Sequence, residues 1–111
     1  MISITYKDPW TMMYSEYADE FIEIIRESLP KEHPLHGRDF YPSGKISREY
    51  VFLIEDDSTG QSGLLDLRKT MKRKGKRMPY YKEFKEPCKI QEMIDRDHHE
   101  WLSQLGDGDH V

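Results

Sequence analysis

Residues 68–77, RKTMKRKGKR, place seven cations in ten positions with no carboxylate among them. Arg68, Lys69, Lys72, Arg73, Lys74, Lys76 and Arg77 suit one kind of chemistry, the capture of anions, because both side chains carry only donors and positive charge at neutral pH. Met71, Met78, Tyr80, Tyr81 and Phe84 lie within or beside this block. Cations interleaved with rings are what a single-stranded nucleic acid needs, phosphates meeting the charges and bases stacking on the rings. Tyr81 therefore joins the seven cations as an expected partner- or anion-binding residue. The competing reading is a solvated hairpin tip whose neighbouring rings belong to the core.

The charge of the remaining chain decides which anion to expect. The sequence holds 17 basic and 21 acidic residues, and removing the seven cations of the block leaves 10 against 21, a net of −11. A body so acidic repels a polyanion at a distance, while the block attracts acid locally. The expected partner is accordingly an acidic protein surface, on another protein or on the acidic segment 15–29 of a second copy, with a nucleic acid as the alternative.

Other reactive side chains form weaker patterns. His33 and His36 flank Pro34, and His98 and His99 are neighbours. Adjacent residues of a helix point about 100° apart, so the second pair does not chelate one ion comfortably. Glu55, Asp56 and Asp57 suit a hard cation or, equally, an ordinary turn. Cys88 follows Pro87 at an expected helix start, where the dipole favours a thiolate, yet no positioned base accompanies it. There is no phosphate-cradling glycine loop, GxSxG or HExxH. No catalytic residue, metal ligand or cofactor is expected.

Length and composition bound the scaffold that must hold these groups. The 111 residues fit one domain, 1–106, with a loose tail at 107–111. Hydrophobic residues make up 36% and charged residues 34%, and seven Tyr, four Phe and two Trp supply bulky packing groups, so the chain reads as folded with a polar surface. The N-terminus lacks the pattern of a secretory signal, and the longest apolar run, 50–54, is too short to cross a membrane. With a single cysteine no internal disulfide forms, so a cytoplasmic location is expected.

The elements follow from periodicity. Residues 2–6 alternate Ile2, Ile4 and Tyr6 with Ser3 and Thr5, as in a half-buried strand. Residues 15–29 place Tyr17, Phe21, Ile24, Ile25 and Leu29 on one helical face, with Ser15 as N-cap and Pro30 as the stop. Residues 31–47, with two prolines and two glycines, read as a long loop. Three strands follow: one around the apolar run 50–54, one from Ser62 to about Arg68 after the turn DSTG, and one over 78–84. The second also fits a helix capped by Ser62 and stopped at Gly75. A last helix carries Ile90, Met93, Ile94, Trp101 and Leu105 and ends at Gly106.

The expected fold is therefore α+β, a three- or four-stranded mainly antiparallel sheet with both helices packed on one face, in the order β-α-β-β-β-α. That order resembles the small RelE-like ribonuclease toxins, with no motif matched. Such toxins are usually strongly basic, whereas the pI here is about 5.7. The resemblance implies RNA cleavage, for which Arg73, Arg77, Tyr80 and Tyr81 are the residues to consider. The expectation carried forward is a non-enzymatic binding or accessory domain that binds protein or associates with itself through complementary acidic and basic surfaces. Nucleic-acid binding is the alternative, and the toxin-like ribonuclease the remote one.

Overall fold

A computed structural model describes the backbone of residues 4–109 and the side chains through Leu105. Seven elements follow one another: β1 Trp10–Met12, α1 Ser15–Ser28, β2 Phe40–Ile46, β3 Val51–Asp56, β4 Gln61–Arg73, β5 Lys76–Phe84 and α2 Cys88–Asp109. The strands form one antiparallel sheet in the order β1-β2-β3-β4-β5. The class is α+β, with five strands where three or four were expected.

Two strands are additional to those expected, β1 and β2, and β2 occupies the second half of the expected loop 31–47. Its sequence FYPSGKI carries Pro42 and Gly44, which ordinarily argue against a strand. A register shift between Pro42 and Gly44 absorbs both. Gly44 also admits the ring of Tyr6, whose Cε1 would lie 2.6 Å from a Cβ at that position. Tyr6 donates its hydroxyl proton to the carbonyl of Ser43 at 3.1 Å. Residues 31–37 form turns that bury Leu35 and His33 against the sheet.

The two helices lie on opposite faces of the sheet, a correction to the expected one-sided packing. The run VFLI explains why. Strand residues alternate faces, and all four of these are buried, so both faces of β3 need a cover. Phe52 and Ile54 join Ile25, Leu29, Leu35, Phe40, Leu65 and Tyr81 under α1. Val51 and Leu53 join Trp10, Ile90, Met93 and Ile94 under α2. Each large apolar side chain so buried contributes about 1.5–3 kcal/mol to folding.

Helix α1 begins at Ser15, with Tyr14 rather than Ser15 in the cap position, and ends one residue before extended Leu29, as expected ahead of Pro30. Glu16, Asp19, Glu20, Glu23 and Glu27 all face solvent.

The alternation at residues 2–6 is real but makes no strand. Residues 1–3 lie outside the described residues, and Ile4–Tyr6 join no ladder, although Ile4 and Tyr6 pack against the α2-side cluster. One face of α2 holds this segment through side chains. The Gln91 amide accepts from Thr5 N at 2.9 Å and donates to Thr5 O at 3.0 Å, Asp95 pairs with Lys7 at 3.0 Å, and His98 Nδ1 donates to Asp8 O at 2.7 Å. Trp10 Nε1 donates to Asp97 Oδ2 at 2.8 Å. Gly106 does not stop α2, which continues to Asp109 through most of the expected tail; residues 110–111 lie outside the described residues. Among the described residues no helix is long and apolar enough to cross a membrane.

Candidate interaction surface

The basic block is neither a helix nor a loose loop but the outer half of the β4–β5 hairpin. The ladder of β3 with β4 ends at Val51 opposite Asp66, with one further bond from Leu67 N to Tyr50 O, and from Thr70 opposite Pro79 to Arg73 opposite Lys76 β4 pairs with β5 alone. Lys74 and Gly75 make the turn with φ of 51° and 79°. Two successive positive φ values match the right-handed twist of a two-residue hairpin.

At the root of this arm the register shifts between Asp66 and Thr70. Buried Asp66 holds the irregular stretch by accepting from Arg68 N at 2.9 Å, Arg68 Nε at 3.1 Å and Arg68 Nη2 at 3.1 Å. Burial alone would raise its pKa, but these hydrogen bonds outweigh burial and keep the carboxyl below its ordinary value. Arg68 also lies 3.6 Å from Glu49.

Beyond the root the cations oppose one another. Lys72 faces Arg77 and Arg73 faces Lys76 across the two strands. Like charges directly opposite destabilise a ladder. Lys76 pairs with Glu32 at 2.7 Å, which holds that carboxyl below its ordinary value, and Arg77 donates to Thr70 Oγ1 at 3.2 Å. Among the described residues Lys69, Lys72, Arg73, Lys74 and Arg77 have no carboxylate within salt-bridge reach. Cross-strand partners share a face, so Arg73 with Lys76 and Lys72 with Arg77 point to opposite sides of the ribbon.

Tyr81 does not belong to this surface. It is 9% exposed and packed in the α1-side cluster, so its place among the partner-binding residues is withdrawn. Its ring lies against Gly63, where a Cβ would overlap Cζ and the hydroxyl. Among the described residues the buried hydroxyl has no hydrogen-bond partner, and burial, followed by the charges of Asp56 and Glu83, pushes its pKa far up. Met78 is buried as well, and Tyr80 half-buried. In sequence these residues flank the basic block, and strand alternation alone does not say which side of a hairpin is covered.

The remaining expected groups are dispersed. His33 is buried, donating from Nε2 to Pro79 O at 3.0 Å and accepting from Leu35 N on Nδ1 at 3.1 Å. That pattern requires the neutral ring, and burial keeps its pKa below the ordinary value. His36 and His99 are exposed, and His98 stacks on Trp101 at 6.0 Å. Asp56 turns inward to Arg38 at 2.8 Å and to Ser58 N at 3.0 Å, while Glu55 and Asp57 face solvent. Among the described residues no three His, Cys, Asp or Glu side chains are grouped to hold a metal ion. Cys88 is exposed at the start of α2.

Two adjoining clefts, which the sequence did not signal, lie beside α2, the first against β1, β3 and β4 and the second against β4 and β5. One of about 540 Å³ is lined by Trp10, Arg68, Asp97 and Trp101, and one of about 990 Å³ by Tyr80, Lys82, Phe84 and Lys85. Leu64, Asp66, Lys69, Met93 and Arg96 line both, so Lys69 belongs at once to the hairpin root and to this groove. No family model, no curated protein and no solved structure matches this chain.

Proposed function

We propose that this chain is a non-enzymatic binding domain whose basic β4–β5 hairpin docks on an acidic protein surface. The supporting observation is the pair of directly opposed cations, Lys72 with Arg77 and Arg73 with Lys76, on a two-stranded arm with five cations unpaired among the described residues. Each opposition works against the fold. An external array of carboxylates relieves that repulsion and uses the donors. The exposed acidic face of α1, from Glu16 to Glu27, makes a second copy one such partner. A reducing, cytoplasmic setting fits the exposed thiol of Cys88.

The geometry favours protein over nucleic acid, because burial of Tyr81 and Met78 leaves half-buried Tyr80 as the main ring beside the arm on which a base might stack. It counts against RNA cleavage as well. Arg73 and Arg77 lie on opposite sides of the ribbon, and buried Tyr81 does not reach either side.

Fluorescence anisotropy with a labelled oligo-glutamate peptide tests the proposal. The peptide binds at low salt, and binding disappears when Lys72, Arg73, Lys74 and Lys76 are changed together to Gln. No binding, or binding indifferent to those changes, overturns it. A labelled single-stranded oligonucleotide serves as the comparison. Tight binding there with a log K against log salt slope of roughly −3.5 to −4.5, the value for about five phosphate contacts, transfers the assignment to nucleic acid.

A further inference from the structure

We infer that the groove beside α2 receives the acidic, tyrosine-bearing face of α1 from a second copy, so that copies of this chain associate head to tail. The inference rests on the reading of the protein as one that docks through complementary charge, and it names the surface and the partner.

The groove exists because α2 covers only part of its face of the sheet. Ile90, Met93 and Ile94 pack with Trp10, Val51 and Leu53, on the β1 and β3 side. On β4 and β5 the register places Ser62 beside Phe84, Leu64 beside Lys82 and Asp66 beside Tyr80, and the apolar members of this set remain only half-buried. The floor is thus apolar, with Leu64, Tyr80, Phe84 and Met93 lining the larger cleft. Its rim carries five cations, among them Lys89, against four carboxylates. Lys69, Lys82 and Lys85 have no carboxylate within salt-bridge reach among the described residues, and Arg96 meets only its neighbour Asp97, at 3.7 Å. Of the acids on the same rim, Asp66 is engaged by Arg68 and Glu92 by the lining residue Lys89, so Lys69, Lys82, Lys85 and Arg96 stand against Glu83 and Glu86.

An apolar floor inside a rim with this surplus of cations fits an acidic amphipathic helix. This chain carries one. Tyr17 on α1 and Tyr14 just before it are 50% and 63% exposed, and Glu16, Asp19, Glu20 and Glu23 stand exposed around them. Tyrosines suit such a contact, bringing a large apolar ring with a polar tip. The carboxylates then meet Lys82, Lys85, Lys69 and Arg96.

Topology excludes the simpler arrangements. Helix α1 and the groove occupy opposite faces of the sheet, so a copy does not fill its own groove. Nor do two copies fill each other's, since a reciprocal dimer needs both faces of one sheet against the same partner. The contact is heterologous, and it continues into a ring or an open chain.

Solution mass of the full chain, measured across protein concentration at low and high salt, tests this. The native chain grows beyond a dimer at low salt and returns to monomer at high salt. Lys82→Glu with Lys85→Glu weakens association roughly tenfold or more, as does Glu20→Lys with Glu23→Lys, because each turns attraction into repulsion. All four changes in one chain restore it, a rescue that damage to folding does not produce. A native chain that is monomeric throughout, a mass that stops at the dimer, or failure of the fourfold chain to regain association overturns the inference. Association that ignores both double changes but vanishes when the hairpin is neutralised also overturns it, while leaving the hairpin reading intact. The oligo-glutamate titration judges that reading separately.

Discussion

Replacing Tyr81 by Phe removes one oxygen and should stabilise the protein. The Tyr81 hydroxyl is buried with no hydrogen-bond partner among the described residues, and an unsatisfied buried hydroxyl costs about 1–3 kcal/mol. Its loss forfeits some dispersion contact with the Gly63 backbone, worth a few tenths of a kcal/mol. The net gain is about 1 kcal/mol at neutral pH. For 111 residues, with an unfolding entropy of about 2.1 cal/mol/K per residue, that raises Tm by roughly 4 °C. The pH dependence gives a second signature. Burial, with the charges of Asp56 and Glu83, raises the folded pKa, so the folded protein keeps a proton that the unfolded chain loses above about pH 10. Stability linked to Tyr81 is therefore complete below about pH 10 and declines above it, by up to about 1.4 kcal/mol per pH unit. The Phe variant lacks that decline, so its advantage widens in alkali. Urea unfolding at neutral pH and near pH 10.5 measures both. A variant less stable than the native chain at neutral pH, with a gap that stays flat into alkali, refutes the reasoning and means that the hydroxyl has a partner.

Three further substitutions follow from the same packing. Gly63→Ala sets a methyl group onto the Tyr81 ring and lowers stability by about 1–3 kcal/mol, seen as a lower urea midpoint with unchanged slope. Arg38→Met leaves the buried Asp56 carboxylate with Ser58 N as its remaining hydrogen-bond donor and costs about 2 kcal/mol, less than a fully buried pair because Arg38 is part-exposed; a loss under about 0.5 kcal/mol contradicts this. His33 is kept neutral by burial, so the unfolded chain takes up its proton first as pH falls. Stability linked to it is complete above about pH 6.5 and declines below. His33→Gln flattens that acid limb, and a native His33 ring charged at pH 6 by NMR titration contradicts the assignment.

Local chemistry made much of this fold legible. The helix over 15–28 needs only its apolar spacing and Pro30. The turn at 57–60 needs only an aspartate whose carboxylate accepts from Ser58 N and a glycine at positive φ. Strand β2 was hidden because Pro42 and Gly44 break the period, and only a register shift and the ring of Tyr6 make them acceptable. Residues 4–6 misled in the opposite direction. Alternation records which side chains are covered, not what pairs with the backbone, and here the backbone of Thr5 pairs with the Gln91 side chain of a helix. The seven cations were visible at once, yet their opposition in pairs depends on a turn at Lys74 and Gly75, and a one-residue slip changes every pairing.

By itself, then, the sequence determined the class of the fold, the two amphipathic helices, the acidic body and the place of its basic block, because periodicity and charge are properties of neighbouring residues. Only the tertiary structure decided that the helices flank the sheet, that Tyr81 is core rather than surface, and that a groove opens beside α2. Those outcomes depend on which residues distant in the chain meet across the sheet, and composition and spacing carry no record of that.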